Sequence, residues 1–244
     1  MATYTATADA NGDFTVHFSS NYTAGQKITV TAEKEGATKS IELHAPSDTT
    51  GGGVIRFSGS LSSFPANVGV VTLTEGISGT INQGAFEDSG SYYSIWGKAT
   101  GLVILGAVMT ISTDAFKYWG NATSLTLPST LTTIQTRAFK GWGRLTELVI
   151  PDSVTTVGSE AFYSTPLCTK LTIGSGVTSI GTQAFGYFVA CNEITLKPTT
   201  PPHISSNTFQ NLKAGCVFKV PSASLAAYQA AANWSAFASQ MVGV

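Results

Sequence analysis

The sequence predicts a mainly β chain with short helices, in which a small β-sandwich-like module precedes a right-handed solenoid of about 23-residue repeats. The first observation behind this prediction is an Ala-Phe pair that returns along the chain, with a degenerate sixth copy, Thr-Phe. The phenylalanines are separated by 30, 23, 23, 23 and 24 residues. Because a unit of this length cannot bury its own apolar side, copies at a fixed period stack on one another to form a core. The phenylalanines are Phe86, Phe116, Phe139, Phe162, Phe185 and Phe209.

The second observation is a set of apolar residues at fixed distances before each phenylalanine. They lie 14, 12, 8 and 5 positions before it, as Leu148, Ile150, Val154 and Val157 do before Phe162. The first two are two residues apart, so both side chains lie on one face of a short strand. We therefore expect a parallel sheet with one strand per repeat. The Ala-Phe pair is expected on a short helical or turn segment that closes each coil.

One copy shows the whole repeat and carries a family resemblance. From Leu145 to Phe162 it reads Leu-x-x-Leu-x-Ile-Pro-x-x-Val-x-x-Val-Gly-x-x-Ala-Phe. This pattern resembles the BspA-like class of leucine-rich repeats, and the resemblance covers residues 70–212, in about five to six coils. The resemblance implies a surface-exposed bacterial or phage protein that is used in adhesion or recognition, and it does not imply an enzyme.

The C-terminal residues 213–244 are similar to the closing strand and helix of the same family. The stretch Phe218–Pro221 supplies the strand. We expect a C-terminal cap with one helix from Ser222 to Ser239, in which Ser222 or Ser224 is the N-cap. The residues at roughly helical spacing behind this prediction are Leu225, Tyr228, Ala232 and Phe237.

Residues 1–46 read as short strands separated by turns. The Asn11-Gly12 pair between two alternating stretches predicts a hairpin. The run from Gly25 to Ala32 resembles the immunoglobulin-like repeats of bacterial surface and phage tail proteins. Four strands fall short of the roughly seven of a complete sandwich, so we expect a small immunoglobulin-like β module that completes itself against the solenoid or a partner chain. Residues 47–69 read as a linker and N-terminal cap, with a capping turn at Val54–Phe57.

Composition excludes several classes of protein. Only 11% of the residues are charged and the formal net charge is −1, so the chain lacks the basic surface of a nucleic-acid binder. No apolar stretch approaches the roughly 20 residues that span a bilayer, so we do not expect a membrane-spanning protein. The first residues lack the basic start and apolar stretch of a signal peptide. We expect either that a signal was removed or that the protein is exported by another route, such as packaging into a virion.

Residues that carry chemistry are scarce in this sequence. The three histidines, His17, His44 and His203, lie far apart, and no Ser, Cys or Asp motif accompanies them. The sequence has no phosphate-cradling glycine motif, no calcium loop and no HExxH motif. We therefore predict no enzyme activity, no catalytic residue, no cofactor and no metal site.

The three cysteines follow the repeat. Cys168 and Cys191 each lie six residues after an Ala-Phe pair, and Cys216 lies seven residues after Phe209. Free cysteine packs as a small apolar residue, so a buried stack of free thiols is the favoured interpretation. A Cys168–Cys191 disulfide between adjacent coils is the alternative.

An insertion interrupts the period between Phe86 and the next repeat, where the chain is 30 − 23 = 7 residues longer. Insertions in solenoids emerge as loops on one side, often the binding side. This one carries tyrosine and tryptophan among serines and glycines, as adaptable recognition loops do. Further aromatic residues follow the later repeat phenylalanines. The candidate ligand-binding residues are Tyr92, Tyr93, Trp96, Tyr118, Trp119 and Trp142.

A packing role competes with this interpretation. Trp119, Trp142 and Phe188 all lie three residues beyond a repeat phenylalanine. Because regular spacing usually indicates packing, a core role is favoured for these three. For the non-periodic Tyr92, Tyr93 and Trp96, binding and packing have equal weight.

Taken together, these patterns predict a non-enzymatic, extracellular or cell-surface adhesion or recognition protein. It would bind a host or bacterial surface protein or a glycan through the solenoid face and its aromatic loop. A phage tail or receptor-binding virion protein, in contact with neighbouring virion proteins, is the alternative. A structural spacer is the second alternative.

Overall fold

A chain of stacked coils forms the part of the molecule that the structure describes. The computed structural model describes residues 69–73, 77–88 and 96–244 in full, and the backbone of residues 3–4, 14–17, 27–34, 37–44 and 54–57. Its strands are β1 (Thr3–Tyr4), β2 (Phe14–His17), β3 (Lys27–Lys34), β4 (Ala37–His44), β5 (Val54–Phe57), β6 (Gly69–Leu73), β7 (Ser78–Ile81), β8 (Ala99–Ile104), β9 (Ala107–Ile111), β10 (Ser124–Thr126), β11 (Thr133–Ile134), β12 (Glu147–Ile150), β13 (Thr156–Val157), β14 (Lys170–Ile173), β15 (Ser179–Ile180), β16 (Glu193–Leu196), β17 (Val217–Val220) and β18 (Met241–Gly243).

Strands one coil apart pair in parallel, as the repeat predicts, but the coils from β8 to β15 each carry two strands, in separate sheets, rather than the expected one. On one side of the coils, β6, β8 and β10 form one parallel series, and β12, β14, β16, β17 and β18 form another. On a second side, β7, β9, β11, β13 and β15 pair in chain order. Leu148 lies opposite Leu171, which in turn lies opposite Ile194. Equivalent apolar residues of successive repeats therefore form columns, and these three are at most 1% exposed.

The Ala-Phe pair lies in a hydrogen-bonded turn rather than in a helix. Left-handed backbone flanks the pair: residues two before and two after the phenylalanine have positive φ, as Arg137 (55°) and Gly141 (83°) do around Phe139. Between them, the Phe139 N–H donates to Ala161 of the next coil at 2.8 Å. The turn thus bonds coil to coil, which satisfies backbone groups that a helix would satisfy internally.

Two columns of aromatic rings run along the core. Each repeat phenylalanine stacks on the next, with ring centroids 5.1–5.8 Å apart from Phe86 to Phe209. Beside this column, Trp96, Trp119 and Trp142 stack at 5.5 and 5.6 Å with nearly parallel planes. Large buried rings dominate core energetics, so the two columns link the coils along the solenoid axis.

The parallel sheet is interrupted once between successive coils. Among the described strands, β10 pairs with β8 but not with β12, and the sheet begins again at β12. Leu125 and Leu127 of this coil are only partly buried, although they pack against the core. Leu145, which precedes β12, takes the position that Ala122 and Cys168 take in neighbouring coils. Leucine is larger than alanine or cysteine and needs more room between close-packed coils, which is consistent with the missing pairing between β10 and β12.

The predicted hairpin turn at Asn11-Gly12 and most of its first strand lie outside the described residues. The strands that flank Asn11-Gly12 lie in different sheets, because β1 pairs with β3 and β2 pairs with β5. Val54–Phe57, expected as a capping turn, is the strand β5, and it pairs antiparallel with both β2 and β6. β5 therefore extends the first sheet of the solenoid. Within the predicted immunoglobulin-like module at residues 1–46, β3 and β4 pair antiparallel, and the residues between the four strands β1 to β4 lie outside the described residues.

The C-terminal cap contains two short helical segments instead of one helix. A 3₁₀ turn at Ser222–Ser224 leads into α1 (Leu225–Ala230), and a second 3₁₀ segment spans Ser235–Gln240. The chain leaves the helix at Ala231, which is extended, and Asn233 has a positive φ of 64°. This break turns the Trp234 ring inward, where it is fully buried.

The cap ends the solenoid with side-chain hydrogen bonds to the backbone carbonyls of Pro198, Thr199 and Pro202. Trp234 Nε1 donates to Pro202 O at 2.7 Å, and the Tyr228 hydroxyl donates to Pro198 O at 2.9 Å. Ser224 is the residue before α1, as expected, but its hydroxyl donates to Thr199 O rather than capping the helix. The terminal strand β18 then pairs in parallel with β17.

Candidate functional site

Three of the six predicted ligand-binding residues are core residues. Trp96, Trp119 and Trp142 are between 0% and 5% exposed. Trp119 Nε1 donates to Phe86 O at 2.6 Å, and Trp142 Nε1 donates to Phe116 O at 2.7 Å. A buried indole whose N–H already has a partner has no free surface for a ligand. The rings of these tryptophans therefore support the packing role, not the binding role.

Trp96 occupies a periodic position that the sequence interpretation missed. It lies ten residues after Phe86, which is the usual three residues plus the seven-residue insertion. Once the insertion is subtracted, Trp96 falls in the same column as Trp119, and the two rings stack at 5.5 Å. The sequence spacing could therefore have predicted the buried position of Trp96. Tyr92 and Tyr93 lie within residues 89–95, outside the described part of the chain.

Tyr118 is the predicted residue that does reach the surface, and two further tyrosines accompany it. Tyr118 is 46% exposed and Tyr187 is 40% exposed, and the Tyr163 ring is half-buried beside Tyr187 at 5.1 Å. We call these three residues the tyrosine face. Sequence reasoning missed the role of Tyr163, which immediately follows a repeat phenylalanine where the other coils carry Glu, Lys, Gly or Gln.

The tyrosine face lies on the two residues that follow each repeat phenylalanine. The backbone of this segment is bonded coil to coil: Tyr118 N donates to Lys140 O at 2.7 Å, and Gly141 N donates to Tyr163 O at 2.9 Å. Ser164 N and Tyr187 N continue the series. Coils in parallel register are about 4.8 Å apart, so the three steps from Tyr118 to Tyr187 span roughly 14 Å.

Glycines of the neighbouring coil hold two of these rings. A Cβ atom at Gly141 would lie 2.7 Å from Tyr118 Cδ1, and a Cβ atom at Gly186 would lie 2.9 Å from Tyr163 Cδ2. Any other residue at these positions would have to displace the ring. The rings of Tyr118 and Tyr163 therefore each pack against a glycine of the next coil.

Lysines lie against the same rings and are neutralised by acidic residues. Lys117 Nζ is 4.8 Å from the Tyr118 ring centroid, and Lys140 Nζ is 4.7 Å from that of Tyr163. Lys117 Nζ also pairs with Glu87 at 3.0 Å, and Lys140 Nζ pairs with Glu160 at 2.5 Å. The cations thus orient the rings without adding net charge to the tyrosine face.

A bidentate ion pair lies beside these lysines. Arg137 Nε and Nη2 donate to the two carboxylate oxygens of Asp114 at 2.8 and 2.9 Å. The hydrogen bonds from Arg137 hold the pKa of the Asp114 carboxyl below its usual value, and the charge of Lys117 acts in the same direction. Both Asp114 and Arg137 have positive φ, so the paired side chains belong to the strained turns that carry the tyrosine face.

The insertion begins and ends next to Tyr118. Asp88, just before the insertion, donates its N–H to Lys117 O at 2.9 Å. Gly97, just after it, accepts a hydrogen bond from Asn121 Nδ2 at 2.6 Å. The described residues on either side of residues 89–95 are therefore hydrogen-bonded to the coil that carries Tyr118.

Within the described residues, no cluster of three or more His, Cys, Asp or Glu side chains could hold a metal ion. Cys168, Cys191 and Cys216 are free thiols and are buried, in agreement with the favoured packing interpretation.

Among the described segments, no helix has the length and apolar character needed to cross a membrane.

Comparison with known proteins agrees with this architecture. The family model of the BspA type leucine rich repeat region matches residues 109–228 in six copies. The chain is also similar to the crystal structure of a leucine-rich-repeat protein from T. pallidum, with 17% identity and a TM-score of 0.45 over 62% of this chain and 77% of that chain. No curated protein matches the sequence. Repeats of this type are typical of surface and protein-interaction proteins. Residues 109–228 are therefore a leucine-rich-repeat region of the BspA type.

Proposed function

We propose that this chain is a non-enzymatic recognition protein, displayed outside its cell, that binds a glycan or a surface protein through the tyrosine face. The observation that carries this proposal is the row formed by Tyr118, Tyr163 and Tyr187, whose rings are exposed or half-buried, whereas the stacked phenylalanine and tryptophan columns are buried. Large rings held at fixed orientation contribute contact area at a low cost in conformational entropy.

The chemistry of the face favours a ligand with little charge and with flat apolar surfaces. Lys117 and Lys140 are paired with Glu87 and Glu160, so neither cation is left to attract an anion strongly. The exposed parts of these tyrosine rings instead suit the apolar faces of sugar rings or the side chains of an extended peptide. A span of roughly 14 Å accommodates a few sugar units or four or so residues of a strand.

The insertion is proposed as a second part of the same site. Its described ends are bonded to the coil of Tyr118, and Tyr92 and Tyr93 lie within it. Aromatic loops next to an aromatic platform are a common arrangement in recognition proteins. The site residues that we propose are therefore Tyr92, Tyr93 and Tyr118, with Tyr163 and Tyr187 beside them.

The test is a glycan and extracellular-matrix protein array probed with the intact chain and with variants. We expect that Tyr118→Ala combined with Tyr187→Ala lowers binding at least tenfold. Val149→Ala is the matched control, because Val149 is 56% exposed on the sheet surface away from the turns. A Tyr92→Ala, Tyr93→Ala variant separates the contribution of the insertion from that of the face.

The outcomes distinguish the alternatives. Equal binding by the tyrosine variants and the wild type would refute the proposed site. Absence of binding on every array would favour the structural spacer. Display is tested separately with antibodies against the solenoid: labelling of intact source cells supports a cell-surface protein, and labelling of purified virions supports the virion alternative.

A further inference from the structure

The coil that contains β8 and β9 carries exposed apolar side chains that the next coils do not repeat. Leu105 is 58% exposed, Met109 is 52% exposed, and Ala107 between them is also exposed. We call these three residues the corner patch. In the three coils that follow, the position of Met109 is a threonine whose hydroxyl donates to a carbonyl of the preceding coil. The repeat therefore does not require an apolar residue there. The threonines are Thr132, Thr155 and Thr178.

The backbone at the corner patch also departs from the repeat. In the parallel pairing of β7 with β9, Gly79 lies opposite Val108. Thr80 then lies opposite Thr110, so Met109 is an extra residue without a counterpart in β7. A β-bulge of this kind changes the direction of a side chain and is usually a functional feature of a sheet. The bulge and the apolar substitution thus occur at the same residue of the same coil.

Strands from the N-terminal part of the chain end beside the corner patch. β2 ends at His17, which lies opposite Val54, the first residue of β5. In the next pairing, Ile55 of β5 lies opposite Leu73 of β6. Leu105 N donates to Leu73 O at 2.8 Å. Because strands in a sheet are about 4.8 Å apart, the start of β5 lies roughly 10 Å from the corner patch.

Two short connections limit where β3 and β4 can lie. Residues 18–26 join β2 to β3, and residues 45–53 join β4 to β5, nine residues in each case. Lys27 lies opposite His44, so both connections attach to the same end of the β3–β4 pair. An extended chain spans at most about 3.5 Å per residue, so this end lies within roughly 35 Å of β2 and β5. The β3–β4 pair is therefore tethered within reach of the corner patch.

The register of β3 and β4 divides their residues into an apolar and a polar face. Ile28 lies opposite Leu43, and Val30 lies opposite Ile41. The parallel strand β1 adds Tyr4, opposite Val30. Because alternate positions of a strand share a face, these five residues lie on one side of the sheet, and that side has to be buried against another element. The positions between them are Thr29, Thr31, Ser40 and Glu42.

We propose that the sheet of β1, β3 and β4 lies with its apolar face against the corner patch and forms an intramolecular interface with the solenoid. Removal of the exposed parts of Leu105 and Met109 from water would stabilise this arrangement. The two connections favour this sheet over a second copy of the chain, because tethered partners meet at an effective concentration of about millimolar. The interface does not depend on the ligand proposed for the tyrosine face.

The test is a photochemical cross-link in the full chain. The photoreactive residue p-benzoylphenylalanine replaces Leu105, and the irradiated protein is separated on a denaturing gel, digested with trypsin and analysed by mass spectrometry. We expect the monomer band to contain peptide 99–117 joined to peptide 28–34, or to residues 41–43 within peptide 40–56. The matched control carries the same photoreactive residue in place of Leu167, which is 51% exposed on a later coil, and should not give these cross-links.

Hydrogen exchange of the chain without the photoreactive residue is the second measurement. Leu105→Asp combined with Met109→Asp would bring two carboxylates against an apolar face, which is costly. We therefore expect amide exchange in β3 to become at least roughly tenfold faster. Leu167→Asp is the control and should leave exchange in β3 unchanged. All three residues are exposed, so the variants should fold, and circular dichroism checks this.

Two results would overturn the proposal. One is the absence of a cross-link from position 105 to β3 or β4 of the same chain. If that position instead joins two chains into a dimer, the corner patch binds a second copy. The other is unchanged exchange in β3 of the folded double-aspartate variant. The cross-link stands as a separate measurement if the double variant does not fold.

Discussion

The neighbouring residues Tyr118 and Trp119 give the sharpest test of the arrangement of the tyrosine face. Replacing Trp119 by alanine removes a fully buried ring that stacks on Trp96 and Trp142 at 5.5 and 5.6 Å. Such a truncation costs about 3–5 kcal/mol. It also leaves the buried Phe86 carbonyl without its 2.6 Å partner, at a cost of about 1–3 kcal/mol. The two costs overlap, so we expect the free energy of unfolding to fall by about 5 kcal/mol.

Tyr118→Ala is the matched control for this experiment. Its ring is 46% exposed and is held by one cation–π contact with Lys117, so the free energy of unfolding should fall by about 1 kcal/mol or less. Urea unfolding followed by far-UV circular dichroism measures both variants without relying on tryptophan fluorescence. A loss below about 1 kcal/mol for Trp119→Ala would refute the assignment of this ring to the core.

Three further predictions concern the turns and the cap. Gly141→Ala places a Cβ 2.7 Å from Tyr118 at a φ of +83°, so we expect a loss of about 1–2 kcal/mol in urea unfolding and weaker ligand binding. Because the folded pKa of Asp114 is depressed, its ion pair stabilises fully above about pH 4 and is lost as pH falls further, so Asp114→Asn should flatten the acid limb of stability against pH. Tyr228→Phe removes a buried hydrogen bond in the cap and should lower Tm by roughly 3 °C in calorimetry.

Each of these predictions has a control and a contradicting result. Gly120→Ala is the control for Gly141→Ala, because a Cβ at Gly120 meets nothing within 4 Å, and equal losses for the two would contradict the ring contact. For Asp114, an unchanged acid limb in the variant would show that another carboxyl dominates. For Tyr228→Phe, an unchanged Tm would contradict the stabilising role of the hydrogen bond to Pro198 O.

Much of the fold could be predicted because the repeat is a local pattern. Columns such as Leu148, Leu171 and Ile194 follow directly from spacing, since a residue at the same point of each coil has the same surroundings. Local patterns did not predict that β1 pairs with β3 or that β2 pairs with β5, because those pairings depend on which strands lie near each other in space. The helix at Ser222–Ser239 was wrong because burial of Trp234 overrides the helical spacing.

The sequence by itself determined the period, the coil and the buried rings, because an apolar side chain at a fixed point of every repeat can be buried only by stacking. It could not decide that Tyr118 faces outward while Trp119 faces inward. That choice depends on the left-handed turn after each phenylalanine and on a glycine of the next coil, Gly141, which makes room for the ring. Contacts between coils, rather than the order of residues along the chain, therefore select the candidate site.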